Sequence, residues 1–504
     1  MESKETTVHN LIQDLKSILN KSLADRNYPK AMASISVGCQ ILYEYNQQFV
    51  DDDFEAAVLQ LAREFAPRYD RSLRQYQGNP QTILFYDGFG LDTRGVAKMY
   101  LNALKKNGYR IIYVTSSSSK GQIPETEQLL RESNHACYYI PMTNYVRWTE
   151  ALIDVIMQTT PQSMFFYTLP YDVSGAVSFA VMDGKVSRFL IDLTDHAFWL
   201  GVRCNDFFCG SRQMSASNQL YERHIDRKKL IKLGVNLSVD DSAADHSGLP
   251  FDVQKCRYIF SGGALYKTLG DENLTYYSIL RHLLRTHGDL YFLYAGDGDR
   301  SEMEHILQEY PERAFLIPER KDFFYLIQHC TLYLNTYPMF GGMMMKYAAY
   351  AGKIPITLKH DHDSDGLLLD QEDRKIEYDS YESLIEDVDR LLTQPAYLHQ
   401  REELLKGSVI SEDRFVHNVR STIEQHHTDY EHSDEHIDTT RFKEEFLRRF
   451  DIRQTQKNVS TPINAPLFLR YPWMIRNLLS KVPDRIRVLF LNVTRAKSQQ
   501  EDKV

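Results

Sequence analysis

The sequence predicts an α/β protein made of two parallel-sheet units, and three observations predict it. From Thr82 onward, short apolar runs alternate with segments of helical period, the pattern of a sheet covered by helices on both faces. Glycine clusters stand where those runs hand over to helices, at Asp87-Gly88-Phe89-Gly90, Gly262-Gly263, Gly296-Asp297-Gly298 and Gly341-Gly342. At 504 residues the chain is too long for one ordinary core, so two or more domains are expected.

Residues 1–78 read as an all-helical N-terminal region. Apolar residues recur at helical spacing over Leu11–Leu23, Tyr28–Tyr45 and Asp53–Phe65, and Asp51-Asp52-Asp53 suits a helix start. The first α/β unit is expected over 79–245, with strands at Ile83–Tyr86, Arg110–Thr115, Met164–Thr168 and Phe189–Leu193 and a helix over Thr93–Lys106. The polar stretch Val235–Val253 reads as a linker. The second unit is expected over 246–428, with strands at Tyr258–Phe260, Leu290–Tyr294, Ala314–Ile317, Leu332–Asn335 and Ile354–Leu358. Residues 429–504 form a tail. Its polar start, HHTDYEHSDEHIDTT from His426, reads as a loop. From Asn464 it is basic and apolar, with Trp473 among arginines. A basic amphipathic segment fits an anionic membrane surface, and docking on the protein fits equally.

Composition narrows the functional classes. The chain is 43% hydrophobic and 25% charged, ordinary for a globular protein. Its net charge of -9 argues against nucleic acid as a partner. Six scattered cysteines form no CxxC pair, which reads as buried free thiols in a reducing compartment. The first residues lack the apolar core of a signal peptide, and no apolar run is long enough to span a bilayer. The expected location is the cytoplasm, with the tail permitting peripheral contact at the inner membrane face.

The chemistry concentrates between Tyr258 and Thr357. A strand ends in Gly262-Gly263, with Lys267 four residues on. A second strand ends in Gly296-Asp297-Gly298, and a third runs into Gly341-Gly342 and a small-residue helix. Glycine lets backbone approach a phosphate, and a helix N-terminus offers unpaired N–H groups and partial positive charge. A lysine there offsets charge on a departing phosphate. The His/Asp-rich segment Lys359–Gly366 matches no standard metal spacing, so it reads as a solvent-facing loop, and no metal or cofactor is expected.

This order of strand, Gly-Gly, lysine, Gly-Asp-Gly, then Pro-x-x-Gly-Gly with a helix and Ala-Gly-Lys-x-Pro resembles the donor half of GT-B glycosyltransferases, of the bacterial surface-polysaccharide, group 1-like type. YDGFGLDTRGVAKMYLNALKKNGYRIIYVT is similar to their acceptor half. The resemblance spans about 80–425. It implies two Rossmann-like domains facing a cleft, a nucleotide-sugar donor held by the second, and no metal. Lys267 takes the position that contacts the donor diphosphate, beside Gly262 and Gly263. Gly341 and Gly342 take the positions that receive the diphosphate or sugar, and Gly296 and Gly298 the turn near the nucleotide. Arg320, in Glu319-Arg320-Lys321-Asp322, falls where a base-contacting loop is often found. The chain departs from the retaining pattern at Lys346-Tyr347-Ala348-Ala349, where a ribose-holding carboxylate is missing.

In the first unit, Thr194-Asp195-His196 follows a strand. His196 or Asp195 is the candidate catalytic base on an acceptor hydroxyl. Asp87, Gly88, Gly90 and Arg94 form the acceptor-side loop. The expected function is transfer of a sugar from a nucleotide-sugar donor to a glycan or lipid-linked hydroxyl acceptor, in cell-surface glycan or polysaccharide assembly. The same fold also suits a polyol-phosphate transferase, a sugar-nucleotide epimerase or a non-catalytic partner protein.

Overall fold

A computed structural model describes residues 4–92, 95–131, 135–141, 144–237, 246–359, 367–369 and 371–451. The chain divides into two compact units. One comprises 1–209, 218–230 and 439–504, the other 210–217 and 231–438. The expected helix start at Thr93 and Arg94, the Lys359–Gly366 loop from His360 on, and the basic tail from 464 lie outside the described residues.

The first unit opens with three helices, α1 (Lys4–Ala24), α2 (Tyr28–Tyr45) and α3 (Asp52–Phe65). α1 buries Val8, Leu11, Ile12, Leu15 and Leu19, the i, i+3, i+4 stripe that makes a surface helix pack. Asn27 caps α2 by accepting from the Lys30 N–H, and Asn46 ends it in the left-handed region at φ 49°. Asp51 caps α3 through the Phe54 N–H. Gly38 is required on α2, because a Cβ there would stand 2.3 Å from the Phe54 ring of α3. These helices share one apolar core with the sheet that follows.

That sheet has seven strands: β1 (Asn79–Asp87), β2 (Arg110–Ser116), β3 (Ala136–Ile140), β4 (Pro161–Tyr167), β5 (Ser187–Ile191), β6 (Phe207–Gly210) and β7 (Leu230–Lys232). Their order is β3-β2-β1-β4-β5-β6-β7, and β1 to β6 pair in parallel. β3, β6 and β7 are not foreseen from the sequence. β3 is an edge strand whose apolar residues Ala136–Ile140 are mostly half-buried, unlike the fully buried run that ends β1.

The second unit carries six strands: β8 (Tyr258–Gly262), β9 (Tyr291–Ala295), β10 (Ala314–Ile317), β11 (Leu332–Leu334), β12 (Pro355–Leu358) and β13 (Glu377–Tyr378). Their order is β10-β9-β8-β11-β12-β13, all pairs parallel. Both sheets therefore run 3-2-1-4-5-6 in local strand numbering. Each reverses direction once, between β1 and β4 in the first and between β8 and β11 in the second. Loops leaving the carboxyl ends at such a reversal diverge to opposite faces and leave a crevice for ligand.

The helix Glu412–Gln425 ends at His426, which has positive φ. Residues 427–439 then run without helix or strand, as their polar composition predicts. The last described helix, Thr440–Arg449, belongs to the first unit. There Lys443 pairs with Glu222 at 2.8 Å, Tyr45 meets Phe450 edge-on at 5.2 Å, and Gln47 donates to the Lys443 carbonyl.

Candidate functional site

In the second unit, three strand-end loops converge at the β8/β11 reversal. The Gly263 N–H donates to the Ala295 carbonyl at 3.0 Å, and the Leu265 N–H to the Asp297 carbonyl at 2.9 Å. These bonds stitch the loop after β8 to the loop after β9. A Cβ on Gly296 would stand 1.9 Å from the Gly263 carbonyl oxygen, so the two backbones touch where only glycine fits. Gly263 and Gly298 both have positive φ, 128° and 133°, which glycine adopts without strain. The Met339 N–H donates to the Lys267 carbonyl at 3.1 Å, drawing in the loop after β11.

Gly341 ends that loop. Its N–H donates to Asn335 Oδ1 at 3.1 Å, and a Cβ would meet that oxygen at 2.8 Å. The helix Gly342–Tyr350 begins here, and no side chain caps it. Its first-turn N–H groups point away from the helix with their partial positive charge. Lys267 rides on a single 3-10 turn, Leu265–Thr268, and is half-buried. Burial alone pulls its pKa below the usual lysine range, and no side-chain partner holds its amine among the described residues. Tyr266, beside it, is 55% exposed. Thus Gly262, Gly263, Lys267, Gly296, Gly298, Gly341 and Gly342 come together at one crevice edge.

Arg320 behaves differently. Its guanidinium grips Asp322 with two bonds, 2.6 and 2.7 Å, and this ion pair holds the Asp322 carboxyl below its ordinary range. The sequence reading offered Arg320 to a base. The structure shows it already engaged by a buried carboxylate.

In the first unit, the loop after β1 lies at the β1/β4 reversal. A Cβ on Gly88 would stand 1.8 Å from Thr168 Oγ1, and one on Gly90 1.9 Å from Ser119 Oγ. Asp87 is 1% exposed. Its carboxylate accepts from the Phe89 and Gly90 N–H groups and from the Tyr113 hydroxyl. Asp87 therefore builds the loop from inside rather than facing a ligand. Asp92 likewise caps the helix Pro124–Arg131 through the Glu125 and Thr126 N–H groups. Arg94 lies outside the described residues.

Asp195 and His196 follow β5, as expected. Asp195 is buried, and its Oδ1 stands 3.4 Å from His196 Nδ1. His196 is about one-third exposed, and the rings of Phe442 and Phe446 lie 6.1 and 6.4 Å from it. Side chains pin the backbone of this loop. Asn218 donates to the Asp195 carbonyl, and Arg223 donates to that of Ala197. Asn46 donates to the His196 carbonyl and accepts from the Phe198 N–H. Farther along, the buried Glu55 carboxylate accepts from the N–H groups of Gly201, Val202 and Arg203 at 2.7 to 3.0 Å. Asn46, Glu55, Asn218 and Arg223 are not flagged by the sequence, where each looks like an ordinary polar residue in a helical segment. Asp51-Asp52-Asp53 was the only cue that a carboxylate-rich helix starts here.

No protein-family model matches the sequence, and no curated protein sequence matches it. Solved structures do match. A Listeria monocytogenes protein assigned as a UDP-N-acetylglucosamine 2-epimerase superposes with TM-score 0.51 at 12% identity, covering 68% of this chain and 96% of that one. Another UDP-N-acetylglucosamine 2-epimerase gives TM-score 0.50 at 10% identity, over 69% and 96%. A glycosyltransferase from Rickettsia africae gives 0.48 at 12% identity, over 73% and 99%. Together with the two sheet orders, the two likenesses at TM-score 0.50 and 0.51 show the fold, two Rossmann-like units of the GT-B kind.

Proposed function

We propose that this protein is a nucleotide-sugar-dependent glycosyltransferase whose second unit holds the donor. The observation that carries the reading is the convergence at the β8/β11 reversal. A lysine amine with no partner among the described residues and an uncapped helix N-terminus gather at one crevice edge beside two loops in backbone contact, and the amine and the helix end each favour an anion. A diphosphate there would meet the Lys267 ammonium and the N–H groups of Gly342 and its neighbours, which stabilise charge on the leaving group. In the first unit, His196 with Asp195 behind it is the candidate to take the acceptor proton. Lys346 stands where a ribose-holding carboxylate is missing, so the donor is held chiefly through its phosphates. We assign the acceptor to a glycan or lipid-linked hydroxyl in surface-glycan assembly.

A second reading has a specific support. Two of the solved structures that superpose on this chain carry the name UDP-N-acetylglucosamine 2-epimerase, and an epimerase would use the same donor crevice. One experiment separates the readings: incubate UDP-, GDP- and CDP-sugars with wild type and Lys267→Ala and analyse the products. Release of a nucleoside diphosphate from one donor, lost in the variant, supports the transferase. A nucleotide sugar of altered stereochemistry supports the epimerase. Nucleoside monophosphate from a CDP-polyol supports the polyol-phosphate transferase. No turnover and no binding of any nucleotide refutes all three and leaves a non-catalytic partner protein.

A further inference from the structure

Lys346 lies one turn into the helix Gly342–Tyr350 and is only 4% exposed. Among the described residues no carboxylate and no hydrogen-bond acceptor meets its amine. Burying an unpaired cation is unfavourable. Burial first, then the charge of Arg212, pulls the Lys346 pKa down to about 7. The side chain lines a small cavity of about 30 Å³, room for two or three water-sized groups.

The polar wall of this cavity is of one kind. Lys232, which like Ser211 belongs to the second unit, also lines it; its pKa is lowered by burial, and its amine donates to the Glu431 carbonyl. Ser408 is 1% exposed, and its hydroxyl has no partner. Ser211 and Tyr430 add hydroxyls, and no described carboxylate lines the wall. Two amines and a buried hydroxyl without a partner thus face a cavity that no described carboxylate lines. Leu367 also belongs to the wall, and its Cδ1 is 3.3 Å from where a Cβ on Gly342 would stand. The cavity therefore adjoins the N-terminus of the same helix that borders the donor crevice.

We propose that this cavity is an anion subsite that receives one phosphate or carboxylate group, with Lys346 as its cation. The anion arrives either free or as part of the ligand in the neighbouring crevice. The second source rests on the proposed function, and the first does not.

Lys346 itself reports occupancy. Trace acetylation by acetic anhydride between pH 6 and 9, read by mass spectrometry on the Lys346 peptide, gives its titration in the full-length protein. The titratable and charged groups facing it are Arg212, Lys232 and Tyr430. An anion pairing with the ammonium raises its pKa, so acetylation at pH 7.5 falls by about tenfold or more. Inorganic phosphate alone producing that protection identifies a free anion. UDP protecting at concentrations where phosphate does not identifies a ligand-borne one. Acetylation unchanged by phosphate, acetate and UDP overturns the proposal. Lys346→Met supplies an independent check. It should leave the fold intact and abolish any thermal stabilisation by phosphate, and full stabilisation retained in the variant also overturns the proposal. UDP binding that survives in Lys346→Met but fails in Lys267→Ala supports the donor crevice while leaving the subsite judged by acetylation alone.

Discussion

At the scale of single residues, the two lysines of the second unit differ in what surrounds them. Lys267 is half-buried at a crevice edge, and Lys346 is enclosed. The depressed Lys346 pKa makes stability depend on pH. The unfolded chain binds the proton up to about pH 10.5 and the folded chain only to about 7, so stability rises across that window and the penalty is complete below it. The slope from this group is at most about 1.4 kcal/mol per pH unit. Urea unfolding at several pH values should show it in wild type and not in Lys346→Met. Gly296→Ala places a Cβ against the Gly263 carbonyl, which forces the β8 and β9 loops apart. We expect a loss of about 1–3 kcal/mol and weaker nucleotide binding, checked by denaturant titration and calorimetry. Glu55→Ala leaves three loop N–H groups without their acceptor. Its cost should be about 3 kcal/mol, measured by urea midpoint, with turnover lost where His196 is misplaced. His196→Asn should instead keep donor binding and lower kcat by about 10²–10⁴. A proportionate fall in binding would mean that His196 contacts the donor.

At the scale of elements, the loops and their strands differ in how much of them was legible. The glycine clusters marked the ends of β1, β8 and β9 and the start of Gly342–Tyr350, because a close backbone approach excludes every side chain but hydrogen. Helices α1 to α3 announced themselves by their apolar stripes. The edge strands β3 and β7 did not: β3 is short and only half-buried, and β7 has three residues. Asp87 and Arg320 have internal partners that the sequence does not reveal, for one reason. A charged residue near a glycine turn looks available in sequence, while its partners, Tyr113 and Asp322, declare themselves only in space. Lys346 was noticed only for the carboxylate it replaces, and its burial depends on residues 211, 232 and 408, distant in sequence. The helix Thr440–Arg449 is another such element. Its Lys443 salt bridge holds the Glu222 carboxyl below its ordinary range. The stability this contributes is present above about pH 4.5 and is lost as pH falls through the lower folded value. Lys443→Ala should cost about 1 kcal/mol at neutral pH, given the pair's partial exposure, and flatten the acid limb of an unfolding profile.

At the scale of the whole molecule, the same strand order appears twice, and each copy places its glycine loops at its own reversal. Two copies of one topology explain why the loops at Gly88 and Gly262 share a glycine signature. Chemistry then separates the copies. The reversal of the second unit is left with an amine that has no partner among the described residues and with an uncapped helix. The loop after β1 in the first unit satisfies its own carboxylate. Tyr86, Tyr113, Tyr167, Tyr258, Tyr276, Tyr277, Tyr294 and Tyr333 are fully buried core residues, divided between the two units. The central claim is that the β8/β11 reversal binds a nucleoside diphosphate through Lys267. Isothermal titration of UDP, GDP and CDP into wild type and Lys267→Ala tests it most directly. The account predicts saturable binding of one of them by wild type, weakened about tenfold or more in the variant. Equal affinity in both proteins, or no binding to wild type, would contradict it.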